Sequence, residues 1–331
     1  MTNDLITKKL SADIDSREFV LYLKSNIVPY LHIQEAKSAK LKKIMNYLFN
    51  FMASCVLIDW IIYEIDEDLY SFLPDIVIIF LFIFLIVALC FTTVMFFCGD
   101  NALSKMCKLI WKPTYDKLFA FIGDFEYNVG RLKYTTKKEI KSKIEDFYLF
   151  GKTTFLRCND SVSGFFSGKK LEVCELKLMP FDFFKNVQYR GVYICAQTDI
   201  KMPFRFTISK KSSERKIKLK KNVLKLKTGN AVFDTQFDVY TTNVTEAKKI
   251  LTQTFLQNYL DMCSESGFGF CFTYENNELT ALVLNDYKLC KNLFNMDDSG
   301  ISLWDKEQFK VVLKEFLAVL KVVEGLQQII K

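Results

Sequence analysis

Hydrophobic positions crowd into two neighbouring runs in the first third of the chain and alternate with polar ones in much of the remainder. From Ile76 to Cys98 no residue is charged, and this run exceeds the roughly 20 apolar residues a helix needs to cross a bilayer. Ile44–Tyr63 is a second apolar run, interrupted by Asn46, Asn50 and Asp59. Together they predict a two-helix transmembrane hairpin over residues 44–98. The connection between the spans carries Glu64, Asp66, Glu67, Asp68 and Asp75, whereas the outer flanks carry Lys37, Lys40, Lys42 and Lys43, then Lys105, Lys108 and Lys112. Lysines mark the cytoplasmic side of a span, so the expected placement is a multi-pass protein of the inner cell membrane with both termini cytoplasmic.

Before the hairpin, residues 1–43 read as a cytosolic N-terminal arm and helix. Asp15 and Glu18 have the spacing of a capping box, Phe19, Leu23 and Ile27 follow at helical spacing, and Pro29 is expected to kink or interrupt the helix before Gln34–Lys43 resumes it. After the hairpin, residues 99–154 read as a juxtamembrane helical connector: Leu103–Phe121 broken at Pro113, an aromatic and basic segment to Tyr134, and a helix over Lys137–Phe150.

From residue 155 to 331 the period changes. Leu171–Leu178, Tyr189–Ala196, Phe204–Ile208, Ile217–Leu219 with Leu224–Leu226, and Phe237–Tyr240 alternate as five strands. Asn243 and Glu246 form a second capping box ahead of one helix with Ala247, Leu251, Phe255, Tyr259 and Met262 on its apolar face. Phe268–Tyr274 and Leu279–Val283 form a hairpin turned through Asn276 and Asn277, and Trp304–Ile330 is a long amphipathic helix. Strands first and helices late predict an α+β cytosolic domain with a mainly antiparallel sheet and two or more packed helices.

Composition narrows the chemistry. The ten cysteines form no C-x-x-C pair, so they read as free thiols of a reducing compartment. The net charge of +7 is concentrated beside the hairpin and in Lys210–Lys227, a pattern suited to anionic headgroups. In that segment Ile217, Leu219, Leu224 and Leu226 alternate with lysines, predicting a hairpin with one apolar and one basic face. Lys210, Lys211, Arg215, Lys216, Lys218, Lys220 and Lys221 are the binding candidates. Nucleic acid is not the expected partner, because no aromatics interleave for base stacking.

His32 is the sole histidine and has no thiol nearby, so it supports neither a metal site nor a triad. Gly151-Lys152-Thr153 lacks the earlier glycine of a phosphate loop, Asp146 standing in its place. Asp59 lies within a turn of the acidic connection, where interfacial water is in reach, and Asn46 and Asn50 share a helix face suited to helix–helix contact. Cys98 and Cys107 lie at the membrane edge, where acylation is chemically possible. Asp160, Glu172 and Glu175 are the candidate carboxylates for acid–base work. No cofactor or metal is expected.

Several segments carry a resemblance: Phe19–Glu35, Asn159–Glu175, Tyr189–Tyr193 and, most specifically, Phe233–Leu251. In their order the chain resembles the bacterial membrane family known as domain of unknown function 3137. The resemblance implies a two-span anchor carrying a cytosolic α+β domain, and it implies no activity. The expectation is a membrane-anchored binding or scaffolding protein whose partners are membrane lipid and a protein or a second copy of itself. The alternatives are a membrane-bound enzyme with a carboxylate-based site and a subunit of an oligomeric transport assembly.

Overall fold

The computed structural model describes residue 14 and residues 16–65, 109–148, 153–180, 189–211, 219–266, 270–284 and 306–330. These fall into two compact units, one formed by the chain up to Ile27 and from Thr114 onward, the other by Val28–Pro113.

The first unit is built on a nine-stranded sheet in the order β1-β2-β3-β4-β9-β8-β5-β7-β6. Its strands are β1 Phe125–Asn128, β2 Thr153–Phe166, β3 Lys169–Pro180, β4 Tyr189–Gln197, β5 Phe206–Lys210, β6 Leu224–Leu226, β7 Phe237–Thr241, β8 Phe270–Glu275 and β9 Glu278–Leu284. Every neighbouring pair is antiparallel. The expected α+β class with a mainly antiparallel sheet is therefore the observed one. At the β8–β9 turn, Asn276 and Asn277 both adopt positive φ, 51° and 63°. This is the two-residue connection whose twist matches the strands it joins.

Helices cover both faces. On one, α4 (Lys137–Glu145) lays Ile140 and Ile144, with Phe147 beyond its end, onto Cys158, Cys174, Leu176, Leu178, Tyr193, Cys271 and Leu282. Its start is fixed by a reciprocal capping box between Thr136 and Glu139. On the other face, Tyr259 of α7 (Gln253–Ser266) meets Phe233, Phe237, Phe270 and Phe272 with ring centroids 5.1–5.7 Å apart. Phe316 of α8 (Lys306–Ile330) meets Phe119 and Phe125 at 5.2 and 4.9 Å. The apolar stripe of α8, Phe309, Leu313, Phe316, Leu320, Val323, Leu326 and Ile330, is buried throughout. Gly325 faces α7, where a Cβ would stand 2.7 Å from the Met262 sulfur.

Local structure departs from the expectation at several points, each with a physical reason. Ser16 caps α1 (Arg17–Tyr22), its hydroxyl accepting from the Phe19 amide at 3.4 Å; Asp15 lies outside the described residues. Pro29 does not end the helical run: a π-helical turn over Leu23–Ile27 precedes it, and Pro29 sits in the first turn of α2 (Val28–Ile65). The wider turn accommodates a residue that cannot donate and whose ring crowds the preceding carbonyls. Pro113 likewise lies inside helix α3, residues 109–120, which continues because Tyr115, Leu118 and Phe119 are fully buried.

The segment expected as a connector adds β1 to the sheet edge and α4 to its face. The single helix expected after Asn243 is two, α6 (Val244–Ile250) capped by Asn243 and α7 capped by the Thr252 hydroxyl, with α5 (Ala231–Gln236) before them.

In the second unit, α2 contains the whole first expected span, Ile44–Tyr63, as helix. The second, Ile76–Cys98, lies outside the described residues. Among the described residues no helix is long and apolar enough to cross a membrane. Ile44, Tyr47, Leu48, Phe49, Phe51 and Leu57 of α2 are all exposed, and at 3.6 residues per turn they are spread around the helix circumference rather than along one stripe.

Candidate functional site

The three candidate carboxylates are held in different ways. Asp160, at the bulge in β2, is buried; its Oδ2 accepts from the Tyr127 hydroxyl at 3.0 Å and its Oδ1 from the Gly130 amide at 2.8 Å. Glu172 on β3 is buried too, and its Oε1 accepts from the backbone amides of Lys133 at 2.5 Å and Tyr134 at 3.2 Å. Between them the Ser161 hydroxyl donates to the Arg131 carbonyl at 3.0 Å. Asp160, Ser161 and Glu172 thus pin successive parts of the loop from β1 to α4 onto the sheet. Glu175, three residues on from Glu172, projects from the opposite face by strand alternation and lies 3.7 Å from the Lys177 ammonium. Two of the three carboxylates, Asp160 and Glu172, are buried and engaged by backbone amides.

The lysine-rich segment is described only in part, and the first strand of the expected basic hairpin, Ile217–Leu219, lies mostly outside the described residues. Lys210 ends β5, and Leu224–Leu226 forms β6, at the sheet edge beside β7. Arg215, Lys216 and Lys218 lie outside the described residues, as does Ile217. Leu219 packs with Val223 against the Tyr148 and Tyr240 rings, and Leu224 is exposed. Among the described residues, Leu219 and Val223 are the anchoring contacts of this segment. Lys221 is exposed, while Lys220 forms an ion pair with the buried Asp146.

That pair belongs to a larger charged network. Arg205 reaches Asp146 with one guanidinium nitrogen at 3.0 Å and Glu275 with another at 2.5 Å. Burial works against the charge on Arg205, and the Glu275 bond and Asp146 charge overcome it, so the guanidinium pKa is raised. The network joins the end of α4 to β8 and to the chain entering β5.

The remaining two lysine candidates do meet a concave surface. Lys210 and Lys211, at the end of β5, line a groove of about 780 Å³ whose other walls are α5 and α7. Val232 and Leu260 give it apolar ground, Gln236, Gln257 and Asp261 polar ground, and Cys263 lies at its base. The Lys211 ammonium donates to the Asp234 carbonyl at 2.9 Å, which holds it against α5. Asp234 in turn accepts from the Thr228 amide and hydroxyl at 3.1 and 2.8 Å and from the Gly229 amide at 3.1 Å. These bonds outweigh partial burial and hold its carboxyl below the ordinary aspartate range.

Burial pushes the Cys263 thiol up to about 12. The thiolate is the nucleophilic form, and burial disfavours it at Cys263. Among the described residues no group of three or more acidic, cysteine or histidine side chains is placed to hold a metal. The groove offers what binding needs, apolar contact framed by a few polar groups.

Of the groove's residues, Lys210 and Lys211 stand out in the sequence, α7 is expected as part of one longer helix, and α5 is not expected. The Asn230 cap, which accepts from the Phe233 amide at 3.0 Å, was the available signal for α5.

With this geometry in view, residues 179–328 match the family described as "Protein of unknown function (DUF3137)". This part of the chain resembles that family. The matched segment begins at the end of β3 and takes in β4–β9, α5–α7 and most of α8, so it includes all walls of the groove; β1, β2 and nearly all of β3 precede it. No curated protein matches the chain. Among solved structures, the mycobacterial trehalose monomycolate transport factor A, TtfA, is similar at 14% identity over 50% of this chain and 74% of that one, with a TM-score of 0.25.

Proposed function

We propose that this chain is a membrane-anchored binding or scaffolding protein: residues 44–98 hold it in a bilayer as a two-span hairpin, and the sheet unit receives a protein partner in the groove between α5 and α7. The observation that carries the anchor is α2. Between Ile44 and Leu57 the described large apolar side chains are exposed around the circumference, whereas a helix lying on a soluble core shows one apolar stripe and one polar face. An apolar surround satisfies such a helix, and the charge-free run Ile76–Cys98 supplies a partner of sufficient length. Lysine-rich flanks on both sides favour the cytoplasm for the sheet unit.

The binding half of the reading is supported by a groove with exposed lysines at its rim and by buried carboxylates already engaged by backbone amides. Alkaline carbonate extraction of membranes containing the full chain, followed by protease treatment of sealed vesicles, tests the anchor. The expected result is retention in the pellet, with the sheet unit digested only when its cytoplasmic side is exposed. Release into the supernatant overturns the anchor.

A further inference from the structure

At one end of the sheet, away from the groove, the β2–β3 hairpin ends in a tight turn where Ser167 and Gly168 both have positive φ, 53° and 77°. A two-residue turn of this kind fixes the tip and sets the register of the strands leaving it. Phe165 and Lys170 are direct partners across that register, so their side chains leave the same face next to each other. Phe165 is 44% exposed although it is a large apolar side chain in a regular strand.

Lys170 holds its ammonium 5.5 Å from the centre of the Tyr134 ring, and Lys133 holds its own 5.6 Å from the same ring. Tyr134 is carried there by the loop that Glu172 pins to the sheet. Two ammonium groups thus converge on one aromatic ring beside an exposed phenylalanine. Lys133 is balanced by Glu126 at 2.7 Å, and Lys169 forms an ion pair with Asp199. Arg131, next to the pinned loop, is exposed and 3.9 Å from the same Glu126, so two cations share one carboxylate. Asp124 also acts on Lys133, so the cations of the loop are answered, whereas Lys170 has no carboxylate partner among the described residues and is held on a pinned support.

We propose that this hairpin tip rests on an anionic membrane surface, with Phe165 entering the headgroup boundary and Lys170 and Lys133 facing acidic headgroups. An apolar side chain flanked by cations is the combination that interfacial contact rewards, since apolar burial and attraction to anionic lipid act together. Charge complementarity selects the occupant: a neutral surface would leave the Lys170 ammonium, beside the exposed Phe165, unanswered. The proposal rests on the membrane-anchored reading, because it assumes a bilayer within reach of the sheet unit. It adds a second, lipid-dependent contact that sets how the unit is held.

The test uses the full chain carrying Phe165→Trp, reconstituted in vesicles whose lipids bear brominated acyl chains. Emission from the native tryptophans is removed by subtracting the unsubstituted chain. With anionic phosphatidylglycerol present, the emission of the introduced indole is expected to be quenched, and in phosphatidylcholine alone the quenching is expected to fall. Adding Lys170→Glu is expected to lower the bound fraction of the tip about fivefold or more, since one cation is replaced by an anion. Emission from the introduced indole that is unquenched in both lipids overturns the proposal. Carbonate extraction of the same vesicles separates the two readings: a chain retained in the pellet with its tip emission unquenched refutes the tip contact alone. A chain extracted by carbonate yet quenched at the tip upholds the tip contact and refutes the anchor. Extraction without quenching refutes both.

Discussion

Replacing Arg205 with alanine is expected to destabilise the sheet unit by about 3–5 kcal/mol, the range for removing one partner of a buried ion pair. Arg205 bridges Asp146 at the end of α4 and Glu275 at the end of β8, and its side chain is 15% exposed against 6% for Asp146. Truncation leaves the Asp146 carboxylate buried with Lys220 as its remaining cation among the described residues, and that lysine is half exposed. Chemical denaturation of the full chain in detergent micelles, followed by circular dichroism, measures the loss. A double-substitution cycle with Asp146→Ala separates the pair from the truncation itself. A loss below about 1 kcal/mol would place the network among exposed pairs, which contribute little.

Gly164→Ala is expected to cost about 2–3 kcal/mol or more, at the upper end of what overpacking does. Gly164 pairs with Phe125 where β1 enters the sheet. A methyl group there would fall inside the contact radius of the Asp124 carbonyl oxygen and 2.8 Å from the Phe125 Cα. Both obstacles are backbone, so no side-chain rotation relieves them. The amide of Phe165 also donates to the Asp124 carbonyl at 3.2 Å, and displacing β1 breaks this bond. The same denaturation measurement checks the value, and a variant as stable as the parent would show that β1 shifts without penalty. Because β1 leads into the loop that carries Tyr134, the substitution should also loosen the Lys133–Tyr134–Lys170 cluster.

The sequence made the second half of the sheet readable and left its beginning obscure. Strands β3, β4 and β7 alternate cleanly, the Asn276-Asn277 turn announces the β8–β9 hairpin, and α8 has an unbroken apolar stripe. Strand β2 was not visible because its apolar alternation is broken by Asn159, Asp160, Ser161 and Ser163, polar residues of which three hold the neighbouring loop and β1. Strand β1 is four residues long and too short for a period to register. The break between α6 and α7 was hidden because Leu251 and Phe255 continue a helical spacing across it, and only the Thr252 cap marks the second start.

The candidate site was legible in part for the same reasons. Lys210 and Lys211 stand out as charge, but a groove is a property of which helices meet a strand end, and that follows from tertiary packing of α5 and α7. Asp160 and Glu172 read as chemistry in the sequence because a buried carboxylate and a catalytic one are the same residue type. Their amide partners, at Gly130, Lys133 and Tyr134, lie 30, 39 and 38 residues away in the chain.

The most direct measurement is affinity capture of the tagged full chain from gently solubilised membranes, alongside a variant carrying Lys210→Glu and Lys211→Glu. A protein held in stoichiometric amount by the parent chain and lost from the variant is the result expected of a scaffold that binds through the groove between α5 and α7. The same proteins recovered with both forms, or none with either, would contradict it.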